Sequence, residues 1–122
     1  MTVDKALIDK VKGLTSPSNE IDQEVWLAIG SPSSLLQHVW FWSSDPTSTW
    51  RPDVYRFTES VDHSIRLLRE VLPEWVYVID GMGEITVRLY PIPDSLYFYQ
   101  GTGSTPAIAF LVAILTALES RK

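Results

Sequence analysis

The segment that most constrains the fold is a continuous apolar stretch near the carboxyl end of the sequence. It follows a helix-start signal in which Thr105 can accept a hydrogen bond from a free backbone N–H. Pro106 takes the first helical position, where its missing N–H costs nothing. The apolar side chains then occupy nearly the whole helical circumference, at Ile108, Phe110, Leu111, Val112, Ile114, Leu115 and Leu118. Such a helix must be covered on several sides, by a sheet and by other helices or a second subunit.

A second helix-start signal begins at Phe57. Thr58 can cap a helix, and Glu59 and Asp62 are favoured in the first turn by the positive end of the helix dipole. Apolar residues then recur as a single helical stripe until Pro73 ends the helix. The stripe consists of Val61, Ile65, Leu68 and Leu72. This pattern predicts a helix, capped by Thr58, that packs one face on a core.

Between these two helices the sequence predicts a β-hairpin. Residues 75–79 are apolar and β-prone, residues 80–83 favour a turn, and residues 84–90 alternate apolar with polar side chains. Residues 96–99 predict a third strand. Residues 101–105 lead into the last helix and could offer backbone N–H groups to a phosphate, although a flexible loop with a helix cap is the favoured interpretation.

Two further helices are predicted at the amino end. The first has one apolar face, formed by Leu7, Ile8, Val11 and Leu14. Gly13 is its end signal, and Asn19 can cap the second helix, which Gly30 stops. The whole pattern indicates an α+β fold in which a small antiparallel sheet, built on the central hairpin, is sandwiched by about four helices. At 122 residues the chain is expected to form a single domain over residues 1–122.

The net charge, the cysteine content and the length of the apolar stretch argue against several classes of function. A net charge of −5 argues against general binding to nucleic acids or anionic membranes, which would need a basic face. The absence of cysteine excludes disulfides, thiolate zinc sites and cysteine nucleophiles, and fits a reducing cytoplasm. We see no secretory signal, and the apolar stretch over residues 106–118 is shorter than the ~20 residues of a membrane span.

Three ordered segments resemble the phage α-β-α sandwich family, small proteins encoded by phages and prophages. The segments are residues 19–25 (NEIDQEV), residues 57–62 (FTESVD) with 72–75 (LPEW), and residues 104–109 (STPAIA). Together they span most of the chain. The resemblance implies an origin in a phage or integrated prophage, and it carries no established activity and no catalytic residues. Phage gene context favours an anti-defence role in the cytoplasm of the host cell.

Catalytic and metal-binding patterns are weak in this sequence. His38 and His63 are the two histidines, and no His-x-x-x-His or Glu-x-x-His spacing occurs. The carboxylates Asp80, Glu84 and Asp94 lie at predicted hairpin ends, where turns favour them. We therefore predict a non-enzymatic protein with no catalytic residues, no metal and no cofactor.

Residues 31–56 contain the strongest candidates for binding. Aromatic residues occur there among Ser, Pro and Asp, with a short strand expected around residues 37–42. The predicted ligand-binding residues are Trp40, Trp42, Trp50, Arg51 and Tyr55, together with Arg88 and Tyr90 on the polar face of the hairpin. Aromatic rings can stack on a base or a partner's side chain, and an arginine can bind a phosphate bidentately. Aromatic residues in a small domain mostly bury themselves, however, so burial in the core or in a dimer contact is the favoured interpretation of these aromatic residues.

Two functions fit these residues, and the first is preferred because an arginine among tryptophans is harder to explain by packing alone. In the first, the protein sequesters a small nucleotide-like host immune signal in a pocket that contains Arg51 or Arg88. In the second, it is a protein-interaction module, either an inhibitor that occludes a host defence protein or a self-assembling structural phage protein. The second function predicts an exposed patch with Trp40 and Trp42 as anchors. Because the last helix is apolar almost all round, we also expect a homo-oligomer, at least a dimer.

Overall fold

The computed structural model describes residues 3–29, 56–81 and 84–120. Within these ranges the chain forms four helices and three strands. In chain order they are α1 (Lys5–Lys12), α2 (Asn19–Ala28), α3 (Val61–Val71), β1 (Val76–Asp80), β2 (Ile85–Tyr90), β3 (Tyr99–Gly103) and α4 (Pro106–Ser120). The predicted α+β class is confirmed.

The strands form an antiparallel sheet in the order β1-β2-β3. Val78 of β1 pairs with Arg88 of β2, and Arg88 pairs in turn with Gln100 of β3. The predicted hairpin is therefore confirmed. Because side chains alternate along a strand, this register fixes which residues share a face of the sheet.

Helix α4 forms the middle layer of the described structure. It packs on β2 and β3 on one side and on α1 and α3 on the other. Every residue from Ala107 to Leu115 is buried. The side chains that pack on the sheet side include Val87 and Leu89 of β2, which are fully buried. The chain itself thus covers the apolar circumference of α4, so this feature alone no longer calls for a second subunit.

Two glycines let β3 approach α4 closely. A Cβ atom at Gly101 would collide with the backbone carbonyl of Ala109 and the backbone N of Ala113. A Cβ at Gly103 would lie 2.8 Å from the backbone N of Ala109. Alanines on α4 and glycines on β3 therefore bring two backbones into contact.

This contact explains an error in the predicted position of the third strand. The sequence places it at residues 96–99, where aromatic residues favour a strand, whereas β3 spans Tyr99–Gly103. Glycine is a poor strand former by propensity. Tertiary packing overrides that propensity here because only a residue without Cβ fits beneath α4.

Two predicted helix caps are also wrong by one or two residues. Ser18, and not Asn19, caps α2 through a hydrogen bond from the backbone N–H of Ile21. Ser60, and not Thr58, caps α3 by accepting from the N–H of His63. Each error arises where several cap-forming residues follow one another. The predicted end of α1 at Gly13 and the cap of α4 at Thr105 are confirmed.

Thr58 instead joins α2 to the segment that leads into α3. Its backbone N–H donates to Oδ1 of Asp22 at 2.8 Å. Its hydroxyl accepts from the backbone N–H of Ser18 at 2.9 Å and donates to the Ser18 carbonyl. Asp22 and Thr58 are both buried, so this polar contact lies within the core. None of the helices in the described ranges is long and apolar enough to cross a membrane.

Candidate binding surface

The face of the sheet opposite α4 is polar and aromatic, and we call it the outer face. Alternation along the paired strands assigns its members. They are Val76, Val78 and Asp80 of β1, Thr86, Arg88 and Tyr90 of β2, Gln100 and Thr102 of β3, and Phe98, which lies immediately before β3 and contacts this face.

Arg88 lies at the centre of the outer face on the middle strand. Its guanidinium carbon lies 5.2 Å from the centroid of the Phe98 ring, within the range of a cation–π contact. Its Nε–H donates to Oε1 of Gln100 across the strand pair at 3.4 Å. These contacts orient the guanidinium and leave its other N–H groups able to meet an acceptor on a partner.

Tyr90 completes an aromatic and cationic cluster with Phe98 and Arg88. The ring centroids of Tyr90 and Phe98 are 5.4 Å apart, and the ring planes are tilted by 48°. The Phe98 ring therefore contacts both side chains, yet 43% of its surface remains exposed. Aromatic side chains and arginine are the residue types that contribute most to protein–protein binding energy.

The surface around this cluster is also apolar. Val78 lies beside Arg88 in the sheet and is half exposed. The connection between β2 and β3 adds the exposed side chains Ile92 and Leu96, whereas the exposed ring of Tyr97 contacts Tyr99, which lies on the α4 side. An aromatic and cationic cluster with an apolar surround is typical of an interaction surface.

The predicted ligand-binding residues divide into two groups. Trp40, Trp42, Trp50, Arg51 and Tyr55 lie outside the described residues, as does the strand expected around residues 37–42. Arg88 and Tyr90 are described, and the structure places both on the outer face, as the alternation predicts.

The sequence prediction missed Phe98 because nothing in the sequence showed which face of the third strand packs on α4. A strand that starts at Tyr99 has Tyr99 on the α4 side, where its ring stacks on Trp75 at 5.7 Å. Two-residue alternation then assigns Phe98 to the outer face. Phe98 could therefore be assigned to the outer face from its position one residue before Tyr99, once Tyr99 is known to lie on the α4 side.

A cavity of about 440 Å³ lies elsewhere, between the end of α1 and the start of α4. Its lining includes Lys12, Glu84 and residues 102–104, part of the segment considered for phosphate binding. Two hydroxyls of residues 101–105 have structural partners: the Ser104 hydroxyl donates to the Leu14 carbonyl, and the Thr105 hydroxyl accepts from the Ile108 N–H. These bonds fit the favoured interpretation, a loop with a helix cap.

Among the residues considered for catalysis, His63 has a local structural role. Its Nδ1 accepts a hydrogen bond from the backbone N–H of Arg56 at 2.9 Å, just before α3. His38 lies outside the described residues. Within the described ranges, no group of three or more His, Cys, Asp or Glu side chains is arranged to hold a metal ion.

Asp22 is buried in the described part of the chain, and the pKa of its carboxyl group is shifted well away from the ordinary value. Burial raises its pKa from 3.8 to about 6, because removal from water disfavours the charged form. Hydrogen bonds from Thr58 act in the opposite direction and only partly compensate. Asp22 lies in the core and not on the outer face, so we assign it to stability.

Comparisons of the chain with protein-family models, with curated proteins and with solved structures found no match. The resemblance to the phage α-β-α sandwich family therefore stays a prediction. The case for function depends on the geometry of the outer face.

Proposed function

We propose that this chain is a non-enzymatic protein-interaction module that binds its partner through the outer face of the sheet. One observation carries the proposal. Arg88, Tyr90 and Phe98 form a cluster at the centre of that face, in which Phe98 is exposed and Arg88 and Tyr90 are partly exposed, with Val78 beside it. In this cluster an oriented arginine and two aromatic rings lie next to exposed apolar surface.

A protein partner fits this geometry better than a small ligand. Small-molecule sites are concave and enclose most of the ligand, whereas the cluster lies on a sheet surface. Two cavities in the described part of the chain, of about 440 and 300 Å³, are lined by residues other than Arg88, Tyr90 and Phe98. Phe98 and Val78 would instead be buried against an opposing protein surface.

The biological setting of the proposal comes from the sequence. The ordered segments at residues 19–25, 57–62 and 104–109 support an origin in a phage or prophage. In that setting the partner would be a host defence protein in the host cytoplasm, which the chain occludes. Arg88 at the centre of the outer face favours a partner surface that places a hydrogen-bond acceptor opposite its guanidinium.

A small nucleotide-like ligand is the second candidate, and Arg88 is the observation that favours it. Its guanidinium lies beside aromatic rings, an arrangement that can hold a phosphate and stack a base. The other residues of that prediction, including Arg51, lie outside the described residues. This function stays a prediction.

The experiment that tests the proposal is affinity capture from bacterial host cells with matched arginine variants. Arg88→Ala removes the centre of the cluster, and Arg69→Ala removes an exposed arginine of α3. We expect the wild type and Arg69→Ala to retain the same protein partner and Arg88→Ala to lose it. Equal retention by both variants would contradict the proposal. Native mass spectrometry of the same samples would detect a retained small molecule, the result that the ligand candidate predicts.

A further inference from the structure

The Arg88 side chain is held in place on the outer face and has no carboxylate partner among the described residues. Its guanidinium carbon lies 5.2 Å from the Phe98 ring centroid, and its Nε–H donates to Oε1 of Gln100. Asp80, the acidic member of the outer face, lies beside Thr86 and is not within ion-pair distance of Arg88. The positive charge of Arg88 is therefore not paired within the described part of the chain.

The two Nη groups of Arg88 are the donors that remain for a partner. An arginine has five N–H groups, and the one on Nε is used by Gln100. Because the guanidinium is planar, one N–H on each Nη atom points away from the side chain, parallel to the other. This end of the guanidinium matches the two oxygens of a carboxylate, which accept both hydrogen bonds at once.

A protein partner on the outer face would cover this charge. Arg88 is on the middle strand, between Val78 of β1 and Gln100 of β3. A surface that buries Val78 and Phe98 would therefore also exclude water from the guanidinium. A charge removed from water is destabilising unless an opposite charge meets it with good hydrogen bonds. A neutral acceptor, such as a backbone carbonyl, would accept a hydrogen bond and leave the charge uncompensated.

The number of charges on the outer face favours a carboxylate over a phosphate. Arg88 is the one cation among the described members of this face. A phosphate group on a protein carries a charge of about −1.5 to −2 at pH 7 and is typically bound by a cluster of arginines. The net charge of −5 also disfavours the phosphates of a nucleic acid. One guanidinium matches the single charge of one carboxylate.

We infer that Arg88 binds the side-chain carboxylate of an aspartate or glutamate of the protein partner through its two Nη groups. The inference rests on the proposed function, because it takes the partner to be a protein that covers the outer face. Apolar side chains around that acidic residue would pack on Phe98 and Val78. The partner surface is thus an acidic residue within an apolar surround.

Variants at position 88 of the full chain test this inference on the partner captured from host cells. Arg88→Gln keeps N–H donors and removes the charge, Arg88→Lys keeps the charge and removes the two parallel donors, and Arg69→Gln is the control on α3. We expect the Kd for the captured partner to rise by about thirtyfold or more in Arg88→Gln, by a smaller factor in Arg88→Lys, and not at all in Arg69→Gln. Treatment of the cell extract with phosphatase and nuclease should leave capture by the wild type intact.

Charge reversal then identifies the carboxylate. Arg88→Glu should lose the partner, and arginine in place of one aspartate or glutamate of the partner should restore binding. That residue is expected in the partner segment that cross-links to a photoreactive residue at position 98. Restored binding would also show that Arg88→Glu folds.

The outcomes separate this inference from the proposed function. A partner that is lost by Arg88→Ala and retained by Arg88→Gln would leave the proposed function standing and overturn the carboxylate. Loss of capture after phosphatase or nuclease treatment, or no acidic residue of the partner that restores binding to Arg88→Glu, would overturn it as well. Equal retention by Arg88→Ala and Arg69→Ala would contradict the proposed function itself.

Discussion

At the scale of single residues, Gly101 controls how closely the sheet can approach helix α4. Because a Cβ at this position would collide with the backbone of Ala109 and Ala113, neither of which can rotate away, Gly101→Ala must push β3 from α4. We expect a loss of about 2 kcal/mol or more in the free energy of unfolding, at the upper part of the range for overpacked cores. Urea unfolding, monitored by circular dichroism, measures this loss in the free energy of unfolding.

Gly81→Ala is the matched control for this substitution. A Cβ at Gly81, which follows β1, meets no atom within 4 Å. The same chemical change should therefore leave the free energy of unfolding within about 0.5 kcal/mol of the wild type. Equal losses in the two variants would show that the contact between β3 and α4 is not as close as described.

Asp22 makes the stability of the fold depend on pH. Its folded pKa of about 6 lies above the ordinary 3.8, so the folded state binds the proton more tightly than the unfolded state. The resulting stabilisation is fully present below pH 3.8 and is lost as the pH rises through 6. The difference is on the order of 3 kcal/mol between these limits.

Asp22→Asn should remove this contribution while its amide oxygen still accepts from the Thr58 N–H. We expect the stability of Asp22→Asn, relative to the wild type, to improve as the pH rises from 4 to 7. Asp62→Asn, an exposed carboxylate in the first turn of α3, should show no such trend. Parallel curves for the wild type and Asp22→Asn would contradict the assignment.

At the scale of helices and strands, the sequence predicts best where one periodicity dominates. The hairpin followed from alternation in residues 84–90, and α4 followed from a cap, a proline and an unbroken apolar run. The third strand was misplaced because its glycines are explained only by the contact with α4. Phe98 was missed because the sequence does not show which face of the third strand packs on α4, whereas Arg88 and Tyr90 followed from the alternation of β2.

Helix caps were predicted less accurately than the helices themselves. Before α3, Thr58 and Ser60 can each cap a helix, and the choice depends on tertiary contacts. Thr58 is held by Asp22 and Ser18, which leaves Ser60 to accept from the N–H of His63. Two of the segments that carry the phage resemblance therefore touch at Asp22 and Thr58, a contact that capping rules do not reveal.

Replacement of Ser60 tests its assignment as the residue that caps α3. Ser60→Ala removes the acceptor for the His63 N–H, and we expect a loss of about 1 kcal/mol in the free energy of unfolding. Ser16→Ala changes an exposed serine outside the helices and should have little effect. Urea denaturation midpoints compare the two, and a Ser60→Ala variant as stable as Ser16→Ala would rule out Ser60 as the cap.

At the scale of the whole molecule, the layers explain why we propose the outer face as the binding surface. The sheet packs on one side of α4, and α1 and α3 pack on the other side. The apolar helix that suggested an oligomer is therefore covered within the chain. In the described part of the chain, α4 packs on one face of the sheet, and the outer face is the surface that we propose for a partner. Whether Trp40, Trp42 and Trp50 add to that surface is a prediction outside the described residues.

The measurement that tests the central claim most directly is photo-cross-linking from the outer face in host cells. Phe98 is replaced by p-benzoylphenylalanine, an aromatic residue that cross-links to its immediate neighbours, and Glu70, exposed on α3, is replaced in the control. A discrete cross-linked protein from position 98, absent from position 70 and lost on Arg88→Ala, is the result expected of a protein-binding outer face. No product from position 98, or the same product from both positions, would contradict it.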